Sequence, residues 1–268
     1  SLSFWSGRNS ADGNKGGDHG VASTMTSLPA VPDSFPETRD ALQRVAVHIV
    51  ARARSQATGR FGLRATVGGF GTPEFGDDVV RVRVSGALLV RESGGTEGAT
   101  SAATPIDGSS LGDLAVFAHV DLAADLDVGH DTPPLGDPDV PLTVDAAAST
   151  TLATWYAIVA QALDRVVERL PAEASPTLIQ LWPEHFDVAL DAAATPDRRA
   201  NLGGSPGDGF HAEPYAYVGP WTDDRPGDAA FWNAPFGAVL GYDALVGADD
   251  PVATLAAFFL DGMHRLAG

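Results

Sequence analysis

The strongest constraint on the fold is a long amphipathic helix predicted at about 146–170, in the middle of the chain. Apolar side chains recur there at steps of three and four residues, which is the spacing of one helix face. Pro171 ends the pattern. Strand-like segments lie on both sides of this helix. Because strands cluster and helices lie between the clusters, we expect a single α+β domain with a mainly antiparallel sheet flanked by helices.

Other elements are predicted from periodicity, caps and turn residues. A helix is expected at about 36–56, with Ser34 and Glu37 as a capping box, and a last helix is expected to start at Asp249/Asp250 with Pro251 in its first turn. Residues 93–110 and the Gly-rich segment around 201–211 are predicted to be loops, and no internal repeat is visible. Further predictions are a short helix at about 110–124 and strands at 61–67, 79–84, 87–90, 177–181, 185–190, 214–218 and 236–240.

Composition restricts the possible functions. No apolar run of the 268 residues approaches the ~18 needed to span a bilayer, so a cytoplasmic protein without membrane contacts is expected. The chain has no cysteine, which excludes thiolate catalysis, disulfides and Cys-ligated metal sites. A formal charge of −18 repels phosphate backbones, so nucleic acid is not an expected partner. Composition predicts neither a cofactor nor an oligomeric state.

Residues 1–25 differ in composition from the rest of the chain. They contain the only lysine, Lys15, are rich in Gly and Asp, and end at Met25. We therefore expect a flexible leader at 1–25, followed by one domain at 26–268.

Acidic residues are unevenly distributed. From Glu92 to Asp164 there are twelve Asp or Glu and no Lys or Arg. One interpretation is a solvated acidic face. The other is a cation site, although the spacing does not follow that of a calcium-binding loop. Its ligands would be Asp121, Asp125, Asp127, Asp131, Asp137 and Asp139.

Residues 181–236 combine aromatic side chains with two His-x-acid pairs, His185/Asp187 and His211/Glu213. Alternate side chains of a strand face opposite sides of a sheet. If the predicted strands at 185–190 and 213–218 belong to one sheet, their polar side chains line one concave surface. Its members would be His185, Asp187, Glu213, Tyr215 and Tyr217.

Aromatic walls with a few convergent polar groups are typical of small-molecule sites. We therefore expect the two His-x-acid pairs to be the catalytic candidates, as general acids or bases. The ligand-binding candidates are Trp182, Asn201, Ser205, Asp208, Tyr215, Tyr217, Trp232 and Asn233.

Three alternatives remain open for this segment. The leading hypothesis is small-molecule binding, with or without acid–base catalysis. A second is a metal-dependent enzyme in which His185, Asp187, His211 and Glu213 are the ligands. A third is a structural or interaction protein whose Trp and Tyr side chains fill a core or a dimer surface. Ser205 lies in a formal G-x-S-x-G match, but neither a preceding apolar strand nor a following helix is predicted.

Three segments of the chain stand out as motifs: LIQLWPEHFDVALD (178–191), SPGDGFHAEPYAYVGPW (205–221) and FWNAPFGAVLGYDAL (231–245). Together they resemble a domain-of-unknown-function family known mainly from actinobacteria. GGFGTPEFGDDVVRVRV (68–84) looks like the N-terminal sheet segment of that family. The resemblance covers about 30–268 and implies membership without implying an activity.

Overall fold

The computed structural model describes residues 28–94, 98–126, 128–129 and 132–268. The leader expected at 1–25 lies outside these residues, as do Asp127 and Asp131 of the expected cation site. Among the described residues, no helix is long and apolar enough to cross a lipid bilayer.

The first half of the chain forms a helix, a sheet and a second helix. Helix α1 (Phe35–Val45) continues through a π-helical segment (Ala46–Ala51) into α2 (Arg52–Thr58), and α3 (Leu111–Ala118) follows the sheet. The sheet is antiparallel, and its five strands are neighbours in chain order. They are β1 (Arg64–Thr66), β2 (Gly69–Gly71), β3 (Arg81–Ser85), β4 (Leu88–Ser93) and β5 (Thr100–Pro105).

The second half has the same order of elements, although the sequence shows no internal repeat. It begins with α4 (Ala146–Val167) and ends with α5 (Pro251–Ala267). Its antiparallel sheet again has five strands that are neighbours in chain order. They are β6 (Gln180–Trp182), β7 (Asp187–Thr195), β8 (Arg198–Ser205), β9 (Tyr215–Pro220) and β10 (Ala238–Gly241).

The two sheets meet edge to edge at a bridge between Leu63 and Leu181. Each backbone N–H donates to the carbonyl of the other residue at 2.9 Å. Both leucine side chains are buried. Paired residues point to the same side of a sheet, so the buried faces of both sheets lie on one side and their solvent faces on the other.

Helix α4 covers the buried side of both sheets. It packs against β1 and β2 of the first sheet and β7 and β8 of the second, and its Trp155 and Tyr156 are fully buried. The approach to β8 is close, because a Cβ atom on Gly204 would lie 2.4 Å from Val159. The amphipathic stripe predicted at 146–170 is thus the centre of the core, and the predicted α+β class with antiparallel sheets flanked by helices is confirmed.

All four predicted helices begin at or within two residues of their predicted starts. Asp250 caps α5 through a hydrogen bond from Ala253 N (2.8 Å), and Ser110 caps α3 in a capping box with Asp113. The capping box predicted at Ser34 is wrong, because its side chain accepts no hydrogen bond from the first turn of α1. Helix α3 also ends earlier than predicted, because His119 adopts a left-handed conformation with φ 61°.

Two segments predicted as loops form strands. Residues Thr100–Pro105 form β5, which pairs with β4 along its whole length although its side chains are almost all exposed. The Gly-rich segment contributes Arg198–Ser205 as β8, the middle strand of the second sheet. In both strands backbone pairing outweighs the weak strand propensity of Gly, Ser and Ala.

Candidate functional site

The register of the second sheet brings together three of the five polar side chains that strand parity had grouped, namely Asp187, Tyr215 and Tyr217. Asp187 of β7 lies opposite Trp182 of β6, and Ser205 of β8 lies opposite Tyr215 of β9. Tyr217 lies opposite Gly203. Strands β7 and β9 are not direct neighbours, because β8 lies between them. These three residues therefore share one sheet face, which is one strand wider than the sequence suggested.

An open cleft of about 1420 Å³ lies over this face. It contains one of the two expected His-x-acid pairs and most of the expected ligand-binding residues. Those that border it are Trp182, His185, Asp187, Asn201, Ser205, Asp208, Tyr215 and Tyr217.

Four of the expected site residues lie outside the lining of the cleft. His211 and Glu213 are exposed in the loop before β9, where the His211 ring nitrogen Nδ1 is 3.0 Å from the Glu213 carbonyl oxygen. Strand β9 begins only at Tyr215, so the alternation assumed from Glu213 onward does not apply. Trp232 donates to the Pro226 carbonyl (2.9 Å). Asn233 braces a turn by accepting from Val239 N (2.8 Å). The structure therefore does not bring these four residues into the cleft with the others.

The metal centre considered as an alternative is not assembled among the described residues. His185 and Asp187 border the cleft whereas His211 and Glu213 do not, so the four proposed ligands do not converge. Within the described ranges, no group of three or more His, Asp or Glu side chains is arranged to hold a metal ion. The carboxylate of Asp121 instead accepts a hydrogen bond from the backbone N–H of Ala123 (2.9 Å), which fits a solvated loop.

Ser205 does not form a nucleophile elbow. It is buried at the end of β8, and its hydroxyl oxygen accepts a hydrogen bond from Gly207 N (3.1 Å). The next element after Ser205 is strand β9 rather than a helix, so the strand–turn–helix geometry of such an elbow is missing at this position.

The turn between β6 and β7 positions Asp187. Phe186 precedes it with φ 56°, a left-handed conformation that is costly for a residue with a large side chain. Two contacts hold this conformation. The Phe186 ring packs edge to face against Phe70 (5.2 Å between centroids), and its carbonyl accepts a hydrogen bond from the Tyr156 hydroxyl (2.6 Å). The predicted strand at 185–190 therefore starts at Asp187, and His185 belongs to the turn.

Asp187 and Tyr217 form the polar centre of the cleft floor. The Tyr217 hydroxyl donates a short hydrogen bond to Oδ2 of Asp187. Asp187 is only 7% exposed, and its second oxygen, Oδ1, has no hydrogen-bond partner among the described residues. A buried acceptor without a donor costs about 1–3 kcal/mol, and such groups are rare unless a function retains them.

Burial also changes the acidity of this pair. Desolvation raises the pKa of the Asp187 carboxyl above its ordinary value, while the hydrogen bond from Tyr217 and the nearby His185 oppose the shift. Burial and the charge of Asp187 raise the pKa of Tyr217 well above its ordinary value. Tyr217 therefore keeps its proton, and Asp187 is the member of the pair that titrates.

Gly203 makes the contact between Tyr217 and Asp187 possible. A Cβ atom at this position would lie 2.6 Å from the Tyr217 hydroxyl oxygen and 2.8 Å from Cβ of Ala189. With no side chain there, Tyr217 can lie across β8 and reach β7. The glycine that suggested a loop is instead required by a close side-chain approach within the sheet.

An aromatic cluster forms one wall of the cleft. Phe210 contacts Tyr215 at 5.6 Å and Phe236 at 5.0 Å between ring centroids, and Tyr217 contacts Phe236 at 6.5 Å. Phe210 and Phe236 are 48% and 37% exposed. Both lie inside the aromatic segment at 181–236, but alternation alone could not identify them because neither belongs to a strand.

Helix α1 closes one end of the cleft with residues that no sequence pattern had indicated. Gln43 donates to the Glu184 carbonyl (2.8 Å), and Arg39 donates to the Ala212 carbonyl (3.0 Å). These bonds fix the turn before β7 and the loop before β9 against the helix. Because helix and sheet are far apart in sequence, no local signal relates them.

At the other end, Arg199 connects the sheet to an exposed tryptophan. Arg199 Nε donates to Asp191 Oδ1 (2.7 Å), and its guanidinium lies 5.6 Å from the ring centre of Trp221. Trp221 Nε1 in turn donates to Asn201 Oδ1 (3.2 Å). The 63% exposed Trp221 is thus held in place although it is not part of the core.

Comparisons with models of known protein families, with characterised proteins and with solved structures found no match to this chain. The resemblance of its motif segments to an actinobacterial family therefore stays a prediction.

Proposed function

We propose that the protein binds a small organic molecule in the cleft over the second sheet, and that Asp187 is its main polar anchor. The observation that carries this proposal is Oδ1 of Asp187, which is buried on the floor of an aromatic-lined cleft and has no hydrogen-bond partner in the described part of the chain. A ligand that donates a hydrogen bond there would offset a desolvation cost of about 1–3 kcal/mol that the protein otherwise bears.

The same residue supports acid–base catalysis as an extension of binding. A carboxyl with a raised pKa in a cleft is a typical general acid or base. His185 is the other candidate, since it borders the cleft and lies close enough to affect the Asp187 carboxyl. His211 and Glu213 drop out of this role. The cytoplasmic location expected from composition stays a prediction.

A metabolite screen by thermal shift tests the binding proposal. A ligand at about one hundred times its dissociation constant stabilises the folded protein by about 2.7 kcal/mol, or about 5–11 °C in melting temperature for a chain of this size. We expect such shifts for wild type but not for Asp187→Asn, which presents an N–H donor where the ligand requires an acceptor.

Glu213→Gln is the matched control, because it neutralises a carboxylate outside the cleft and should leave the shifts unchanged. Shifts that persist in Asp187→Asn would show that the ligand binds elsewhere. For any ligand that is also converted, Asp187→Asn should reduce turnover by about 10²–10⁴-fold if Asp187 is the general acid or base.

A further inference from the structure

The hydroxyl donors at the aromatic end of the cleft are already engaged. Tyr215 donates its proton to Oδ2 of Asp208 (2.7 Å), and Tyr217 donates its proton to Oδ2 of Asp187. A phenol has a single proton to donate. A ligand at this end therefore meets carboxylate oxygens and ring faces, both of which attract positive charge.

The charges around the cleft are also unbalanced. Among the residues that the structure describes, five carboxylates border it, against one guanidinium and one imidazole. Arg39 contacts Asp40 (2.8 Å), and Arg199, just outside the lining, hydrogen-bonds to Asp191 (2.7 Å). The five acids are Asp40, Glu184, Asp187, Asp191 and Asp208.

The two carboxylates at the aromatic end interact with each other. Asp208 accepts hydrogen bonds from the Tyr215 hydroxyl and from the backbone N–H of Phe210 (2.8 Å). Both donors are neutral, so they do not balance the charge of this carboxylate. The negative charge of Asp208 contributes to raising the pKa of the Asp187 carboxyl. Asp187 has the buried oxygen without a hydrogen-bond partner among the described residues. A cation between the two would relieve their repulsion and supply the missing donor.

The aromatic cluster lies beside these two acids. Phe210 and Phe236 meet nearly edge to face, at an interplanar angle of 75°, and both are partly exposed. A cation within about 6 Å of a ring centre gains about 0.5–2 kcal/mol, and an apolar body gains more by burial against the rings.

We propose that the ligand is a protonated amine, whose ammonium group lies between Asp187 and Asp208 and whose organic body packs against Phe210 and Phe236. This inference rests on the proposed function and narrows it to one chemical class. An ammonium with N–H donors fits better than a neutral polyol. It donates a hydrogen bond to Oδ1 of Asp187, and its positive charge also balances the carboxylates.

Three probes with nearly the same skeleton test the charge preference: 2-phenylethylamine, 2-phenylethanol and phenylacetate. Affinities are measured by NMR titration at constant ionic strength. The amine should bind at least about tenfold more tightly than the alcohol, and phenylacetate should bind more weakly still. Asp208→Asn should remove about tenfold of the affinity for the amine and leave that for the alcohol unchanged.

Glu213→Gln provides the matched control, since it removes one negative charge from an exposed residue outside the cleft. Equal losses in Glu213→Gln and Asp208→Asn would trace the attraction to the net charge of −18 and overturn the inference. Circular dichroism confirms that both variants are folded.

The test separates this inference from the proposed function. An alcohol or carboxylate that binds as tightly as the amine, or Asp187-dependent screening hits that are not amines, would overturn the amine class and leave cleft binding intact. A screen without any Asp187-dependent hit, together with no probe binding, would overturn both.

Discussion

Tyr217→Phe tests directly whether the hydrogen bond to Asp187 organises the cleft. The variant keeps the ring against Phe236 and removes the hydroxyl that donates to Asp187 Oδ2. A hydrogen bond to a charged group contributes about 1.5–3 kcal/mol, and one between neutral groups about 0.5–1.5 kcal/mol. The expected loss in free energy of unfolding is therefore about 2 kcal/mol where Asp187 is ionised and about 1 kcal/mol where it is protonated.

The assay is urea unfolding of wild type and variant over a range of pH below the pKa of tyrosine. Tyr242→Phe is the matched control, because the Tyr242 hydroxyl donates to a neutral acceptor, the Pro29 carbonyl (2.7 Å). It should cost about 1 kcal/mol at every pH. The reasoning would be refuted if the loss in free energy of unfolding caused by Tyr217→Phe were independent of pH. It would also be refuted if that loss were the same in an Asp187→Asn background.

Three further predictions concern the same sheet. Gly203→Ala should displace Tyr217 and abolish ligand-induced thermal shifts. Gly204→Ala should instead lower the free energy of unfolding in urea by about 1–3 kcal/mol, because it overpacks the core on the opposite face. The reverse pattern would contradict the assigned faces. Burial raises the pKa of Asp187 in the folded protein above 3.8, so wild-type stability should fall as pH rises from about that value through the folded pKa. Asp187→Asn should lack this decline. Parallel pH profiles of the two proteins would show that burial does not raise the pKa of Asp187. Trp221→Ala should change the free energy of unfolding by less than about 1 kcal/mol, because its ring is mostly exposed; a larger loss would place it in the core.

The second sheet shows how far alternation can be used for prediction. Alternation correctly separated Asp187, Tyr215 and Tyr217 from the core residues Val188 and Val218, because a strand turns successive side chains to opposite faces. It misplaced Glu213 because it could not show where the strand begins. The start of a strand depends on which backbone groups find a partner, and that is a tertiary property.

The mistaken loops have a related cause. Thr100–Pro105 has exposed side chains on both faces for most of its length, so no apolar pattern marks it as a strand. At Gly203 and Gly204 the glycines are present because Tyr217 lies against one face and Val159 against the other. A sequence shows the glycine but not the neighbour that requires it.

The sequence by itself determined the class of fold, the central helix and the shared sheet face of Asp187, Tyr215 and Tyr217. The tertiary structure decided that β8 lies between β7 and β9, that the two sheets meet at Leu63 and Leu181, and that α1 closes the cleft. The physical reason is the range of the interactions. Helix and strand periodicity follow from local backbone geometry, whereas the cleft depends on contacts such as Gln43 with Glu184, 141 residues apart in the chain.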